Sequence, residues 1–208
     1  MIYIFGDSHG YANFKNLDIE NRNNSISAIT LHRVGRDGLE FINFKNYNIQ
    51  ENDIVVYQYG EIDCRSHVGK QILLGRDLNE IIETLAEKYI QSIVNNKNQR
   101  NIHIIISCVP PARNKESFES IHGEITHEYP FVGTNEERKL YAELLNKTLK
   151  DKCLQHGFYF LDYYDYYTDE ENMLKYELSD TNVHIKDNVK ILELLKQLIS
   201  TFHIKTIL

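Results

Sequence analysis

The sequence predicts an α/β fold: a three-layer α/β/α sandwich built on one doubly wound, five-stranded parallel sheet. Three observations predict it. Short apolar runs alternate with longer segments of helical period. Three of the runs are apolar at consecutive positions, as strands covered on both faces are. Two of the helical segments open on capping-box spacings. With 208 residues, 42% of them apolar and 25% charged, the chain can bury most of its surface around one core. No repeat, linker or composition break divides it, so one domain over 1–208 is expected.

The expected strands are Ile2–Phe5, Ser27–Leu31, Ile54–Tyr59, Ile102–Ser107 and Phe158–Leu161. Asp77 and Glu80 cap a helix whose face is Leu78, Ile81, Ile82, Leu85, Tyr89 and Ile93, with Asn95-Asn96 as its stop. Thr134 and Glu137 cap the next, which carries Leu140, Tyr141, Leu144, Leu145 and Leu149 and meets Gly157 at its C-terminal cap. Ile191, Leu194, Leu195, Leu198, Ile199 and Phe202 keep the i, i+3, i+4, i+7 spacing of a last helix. The longest stretch without a clear period, Cys108–Gly133, is expected as a lid or substrate wall.

Charge and composition exclude several classes. The 23 basic against 30 acidic side chains give a net charge of −7, and no basic cluster offers a face to a phosphate backbone, so nucleic acid is not an expected partner. No run approaches the roughly 18 apolar residues of a membrane span. Met1–Phe5 leads straight into Gly6-Asp7 without the basic and apolar regions of a signal peptide. The cysteines, Cys64, Cys108 and Cys153, form no CxxC pair, which suits a reducing, cytoplasmic compartment and offers no zinc-finger spacing.

Ligands of open α/β sheets collect at the C-terminal strand ends, and here those ends are polar. Gly6-Asp7-Ser8-His9 follows the first strand, Gly60-Glu61-Ile62-Asp63-Cys64-Arg65 follows the third, and Asp180-Thr181-Asn182-Val183-His184 precedes the last helix. A serine on a strand-to-helix turn exposes its hydroxyl, a histidine from a distant loop can deprotonate it, and a carboxylate can fix the imidazole. Ser8, His184 and Asp180 fit those roles. Asp7 reads as a buried carboxylate that shapes the turn, and with His9, Glu61, Asp63 and Arg65 it completes the candidate substrate-binding set. His67, His122 and His127 read as satisfied histidines, and Cys64 and Cys108 as buried thiols.

These blocks resemble the SGNH (GDSL-like) hydrolase superfamily, over the span from Gly6 to His184. The resemblance implies a flavodoxin-like sheet and serine-dependent acyl transfer, with Ser8 as nucleophile and first oxyanion donor, His184 as base and Asp180 as acid. It implies Gly35, in Val34-Gly35-Arg36, as second oxyanion donor; a turn glycine is the plainer reading of that residue. Asp63 matches the end of the third block, and Val109-Pro110-Pro111 looks like a turn that many of these enzymes carry. There are two departures: Ile62 stands where an oxyanion asparagine is expected, leaving Arg65 as a substitute, and Asp180 lies four residues before His184 instead of three, with Thr181 at the expected place. Gly6-Asp7-Ser8-His9-Gly10 also resembles the first block of calcineurin-like metallophosphoesterases, with Asp7 and His9 as metal ligands. Glu61 and Asp63 do not keep that family's second block, and no Gly-Asn-His block follows.

The run Asp162 to Glu171 mixes tyrosines with carboxylates, a combination that packs against sugar rings and accepts their hydroxyl protons. The expected reaction moves a small acyl group, acetyl in particular, off or onto a sugar or glycan precursor through an acyl-Ser8 intermediate. No cofactor or metal is required, though acetyl-CoA would be the donor for the transferase direction. A catalytically weak carbohydrate-binding module on the same fold is the non-enzymatic alternative. The sequence does not specify an oligomeric state.

Overall fold

The computed structural model describes residues 1–126 and 128–204. His127 lies outside the described residues. Five parallel strands, β1 (Ile2–Gly6), β2 (Asn21–Asn23), β3 (Ile54–Gln58), β4 (His103–Ser107) and β5 (Tyr159–Leu161), stand in the order β2-β1-β3-β4-β5. This is the flavodoxin-like order, and its direction reverses between β1 and β3. The three central strands are rich in Ile and Val and buried at nearly every position, because helices cover both faces.

The helices are α1 (Ser8–Phe14), α2 (Leu31–Ile42), α3 (Phe44–Tyr47), α4 (Val68–Leu73), α5 (Leu78–Lys97), α6 (Lys115–His122), α7 (Asn135–His156), α8 (Tyr164–Tyr167) and α9 (Val189–Ile204). A five-residue π-helical turn, Asp63–His67, leads into α4, and a 3₁₀ turn covers Tyr176–Leu178. Helices α2, α5 and α7 pack side by side on one face, while α1 and α9 pack together on the other, as right-handed crossovers running outward from β1 in both directions require. The expected caps form: Asp77 accepts the Glu80 amide, Thr134 and Glu137 make both bonds of their capping box, and Gly157 closes α7 at φ +66°.

Three expectations are corrected. Ser27–Leu31 is not a strand: Ala28 turns the chain at φ +63°, and Thr30 caps α2 by accepting the Arg33 amide. The second strand is the polar Asn21–Asn23, which sits at the sheet edge and needs no apolar faces. Helix α5 runs past Asn95-Asn96 to Lys97, where Asn98 caps it at φ +51°. Within Cys108–Gly133, α6 is capped by Asn114, and the segment folds back so that the Val132 amide donates to the Arg65 carbonyl at 2.9 Å.

Candidate active site

The strand-to-helix turn after β1 is built by Asp7. Its side chain is fully buried and its Oδ1 accepts the His9 amide at 2.8 Å, so Asp7 caps α1 and leaves Ser8 as the first helical residue. Gly10 lets α1 pass close to the chain after β2: a Cβ there would stand 2.4 Å from the Ser25 hydroxyl oxygen. Ser8 is partly exposed, and its own amide, like every first-turn amide, has no acceptor inside the helix.

His184 arrives from 176 residues away and places Nε2 2.9 Å from Ser8 Oγ. Its Nδ1–H donates to Asp180 Oδ2 at 2.9 Å, which leaves Nε2 as an acceptor for the serine proton. The extra residue between Asp180 and His184 is absorbed by the loop. Thr181 adopts φ +68°, the Asp180 amide donates to the His184 carbonyl at 3.0 Å, and Ser179 and Ile185 form an antiparallel bridge. Asp180 Oδ1 accepts the Asn182 amide at 2.9 Å and the His184 amide at 3.2 Å, fixing the carboxylate against the imidazole. Thr181, at the position where the acid was sought, instead accepts from His122 Nε2 on its carbonyl at 3.0 Å.

A second layer of charge lies beneath. His9, 1% exposed, lies with its ring centre 4.7 Å from that of His184, the planes tilted by 48°, and faces Glu61 Oε2 at 3.4 Å; Arg65 Nε donates to Glu61 Oε1 at 2.8 Å. Burial opposes ionising Glu61, but Arg65 and His9 outweigh it and hold the carboxyl down at about 2. Burial also works against a charged His9, yet the bond to Glu61 and the nearby acids raise its pKa. Asp7 is pushed up to about 6 by burial, with His9 opposing. Burial and the neighbouring His9 charge lower His184, against the pull of Asp180. The two imidazoles are therefore pushed in opposite directions, His184 toward its neutral form and His9 toward its charged form.

The structure thus brings together Ser8, His184, Asp180, Asp7, His9, Glu61 and Arg65, and separates two expected members. Gly35 is inside α2, where a Cβ would come within 3.0 Å of the Tyr89 amide of α5; it is a helix-packing glycine and not an oxyanion donor. Asp63 is fully buried and accepts the Leu31 and His32 amides at 2.6 and 3.1 Å, so it caps α2 and has no face for substrate. Burial pushes its carboxyl up to about 7. Arg65 spends Nε on Glu61 and another nitrogen on the Tyr129 carbonyl, which directs it away from an oxyanion role. Of the tyrosines expected against a sugar, Tyr163, Tyr164 and Tyr167 belong to the core, and Tyr166 is about half exposed.

The sequence reading missed Asn188 and a buried polar knot under the serine turn. Asn188 Nδ2 donates to the Asn13 and Lys15 carbonyls at 3.0 and 2.8 Å, tying the segment after His184 to the end of α1. Tyr167 adds a bond to the Asp187 carbonyl at 2.8 Å. Asn13 Nδ2 donates to Gln58 Oε1 and to the Tyr163 hydroxyl, Gln58 Nε2 donates to the Cys108 carbonyl, and the single Tyr163 hydroxyl proton is shared between that carbonyl and Gln58 Oε1. The available signal was Gln58, a lone amide closing an apolar strand. Cys64 and Cys108 are buried free thiols, as expected; the His67 ring lies against His32, tilted by 32° at 4.6 Å between ring centres.

No family model and no curated protein matches the chain. Solved structures do. A GDSL-like lipase from Bacteroides thetaiotaomicron VPI-5482 superposes with a TM-score of 0.65 at 17% identity, covering 96% of this chain and 87% of that one. Phospholipase A1 from Streptomyces albidoflavus NA297 gives 0.53 at 10% identity over 94% and 98%. An extracellular lipase from Streptomyces rimosus gives 0.50 at 13% over 94% and 98%. At these identities the likeness shows a shared fold.

Proposed function

We propose that this chain, which has the SGNH (GDSL-like) hydrolase fold, is a serine-dependent acyl-transfer enzyme that moves a small acyl group, acetyl, off or onto a sugar or glycan precursor. The observation that carries the reading is the relay Asp180 Oδ2–His184 Nδ1 and His184 Nε2–Ser8 Oγ, each 2.9 Å. His184 Nε2 takes the hydroxyl proton as Ser8 Oγ bonds to the ester carbonyl carbon. The tetrahedral oxyanion forms beside the Ser8 amide, and collapse expels the alcohol with the proton from His184. Water, or a sugar hydroxyl in the transferase direction, then attacks acyl-Ser8 with His184 again the base.

The polar surroundings of the base support a small, polar ester over a long fatty acyl chain: Asp180 bonds to His184, the neighbouring Thr181 carbonyl accepts from His122 Nε2, and the apolar residues Phe118, Ile125 and Phe131 pack with Val183 in a small cluster of their own. The metallophosphoesterase reading is disfavoured because Asp7 is committed to the α1 cap and His9 to Glu61. The intact relay weighs equally against a purely binding module.

Hydrolysis of p-nitrophenyl acetate with and without a chelator tests the proposal. Activity that survives chelation, leaves a transient acetyl adduct on Ser8 by mass, and falls about 10³-fold or more in Ser8→Ala and His184→Ala is expected. Activity in Ser8→Ala equal to that of the unaltered chain would overturn it. A faster loss of the adduct to an added sugar than to water would set the direction as transferase.

A further inference from the structure

The loop that carries the acid and the base turns on one unfavourable residue. Thr181 stands at φ +68° between Asp180 and His184. A β-branched side chain crowds the backbone in this left-handed region, and the conformation persists only where the surroundings fix it. The carboxylate geometry follows from that turn. With Thr181 so placed, Asp180 Oδ1 accepts the Asn182 and His184 amides at 2.9 and 3.2 Å, and Oδ2 accepts His184 Nδ1–H at 2.9 Å. A Thr181 relaxed to an ordinary backbone conformation would carry the carboxylate off the imidazole.

Within its own segment, Thr181 is held by its amide, which donates to the Ser179 hydroxyl at 3.2 Å. The rest of the hold comes from α6. His122 Nε2, at the end of that helix, lies 3.0 Å from the Thr181 carbonyl oxygen and 3.3 Å from its hydroxyl oxygen. A carbonyl can only accept, so Nε2 carries the proton and one N–H spans both oxygens of the threonine. The imidazole is backed in turn by Phe118, one helical turn earlier, at 4.8 Å between ring centres. Phe118 packs with Phe131 and with Val183, the residue before His184. The loop is therefore seated on α6 at two points, one polar at Thr181 and one apolar at Val183. The segment Cys108–Gly133, expected as a lid or substrate wall, here braces the residues that hold the base.

We propose that His122 is a positioning residue for the base: it acts through Thr181 to keep Asp180 on His184 Nδ1 and touches no reacting atom. The assignment rests on the reading of Ser8 and His184 given above. Two variants of the full chain test it. His122→Phe keeps a ring against Phe118 and removes the donor, while His122→Gln keeps an N–H at about the reach of Nε2; His122→Ala serves if the phenylalanine variant does not fold, with the melting temperature as the check. The first readout needs no turnover. Ring ¹⁵N shifts of neutral His184, identified by their absence in His184→Ala, report which nitrogen carries the proton, and the bond to Asp180 fixes it on Nδ1. The Nδ1–H form is expected to dominate in the unaltered chain and in His122→Gln, and to give way to a mixture in His122→Phe. In p-nitrophenyl acetate hydrolysis, His122→Phe is expected to lower kcat about ten-fold at nearly unchanged KM, and His122→Gln to stay within about three-fold of the unaltered chain. Glycine adopts the left-handed turn without strain, so in a Thr181→Gly background the loss on removing His122 should shrink to about two-fold. A folded His122→Phe with an unchanged His184 tautomer would overturn the proposal, as would an equal loss of kcat in His122→Gln. A tautomer that responds to His122→Phe in a chain that forms no acyl-Ser8 adduct would sink the serine reading and leave the hold of His122 on the imidazole standing.

Discussion

At the scale of single residues, the distinctive feature is the pair of imidazoles, His9 and His184, 4.7 Å apart with opposite electrostatic tasks. His184 must be neutral to accept the Ser8 proton, and burial and His9 lower its pKa below the usual 6.5. Since a base works when deprotonated, kcat/KM for p-nitrophenyl acetate is expected to rise with pH along an acid limb whose midpoint lies below 6.5 and then stay level to neutral pH. Removing the His9 charge in His9→Gln takes away one of the influences that lower His184, so the limb should move to higher pH; a limb that stays in place or moves down would contradict this coupling. Ser8, Asp180 and His184 were legible because each follows or precedes an element end with the residue types the chemistry needs. The four-residue spacing looked like a defect only because a threonine at φ +68° is not readable from sequence. Gly35 was misread because a glycine that lets two helices touch and one that shapes a turn look alike in a string of letters.

At the scale of elements, the His184 loop is held by what comes after it. Asn188 caps the carbonyls at the end of α1, so α9 and α1 move as one piece with the serine. Asn188→Ala is expected to lower kcat about ten-fold with KM nearly unchanged, because it loosens the Ser8–His184 geometry without touching a substrate contact. A pure loss of stability at unchanged kcat would count against it. On the other face, Asp63 caps α2 through both carboxyl oxygens. Asp63→Asn puts a donor opposite one of those amides, and urea unfolding should show a loss of about 2 kcal/mol. Most elements were legible from periodicity and caps, as α5 and α7 illustrate. The second strand was not, since Asn21-Arg22-Asn23 pairs only through its backbone at the sheet edge and bears no apolar mark, while in Ser27–Leu31 the exposed Ser27 and Ala28 turn the chain and Ile29, Thr30 and Leu31 are buried at the start of α2.

At the scale of the whole molecule, buried acids and histidines set the pH dependence of stability in opposing senses. Asp7 and Asp63 titrate at about 6 and about 7 when folded, well above the ordinary aspartate value of 3.8. Between those limits the folded chain holds protons that the unfolded chain has released, so stability is fully present below about pH 4 for these two groups and declines as pH rises toward 7. A raised His9 acts in the same sense above pH 6.5. Glu61, held at about 2, acts oppositely: its contribution is present above the ordinary 4.5 and disappears in stronger acid. His67, pushed down to about 4 by burial, and His32 and His184, also lowered, act against the two aspartates over this range, so the aspartate contribution is isolated by mutation: the urea midpoint is expected to fall less, or rise more, between pH 4 and 7 in Asp63→Asn than in the unaltered chain, and an unchanged slope would refute the assignment. No helix among the described residues is long and apolar enough to cross a membrane. The 176 residues between Ser8 and His184 also carry a consequence in time. The serine hydroxyl is inert until the loop that carries His184 has docked against α1, so the nucleophile matures only when that long-range contact forms. A fluorophosphonate that labels activated serines would then serve as a clock for refolding, marking molecules whose two chain ends have met and passing over every intermediate that has not yet joined them.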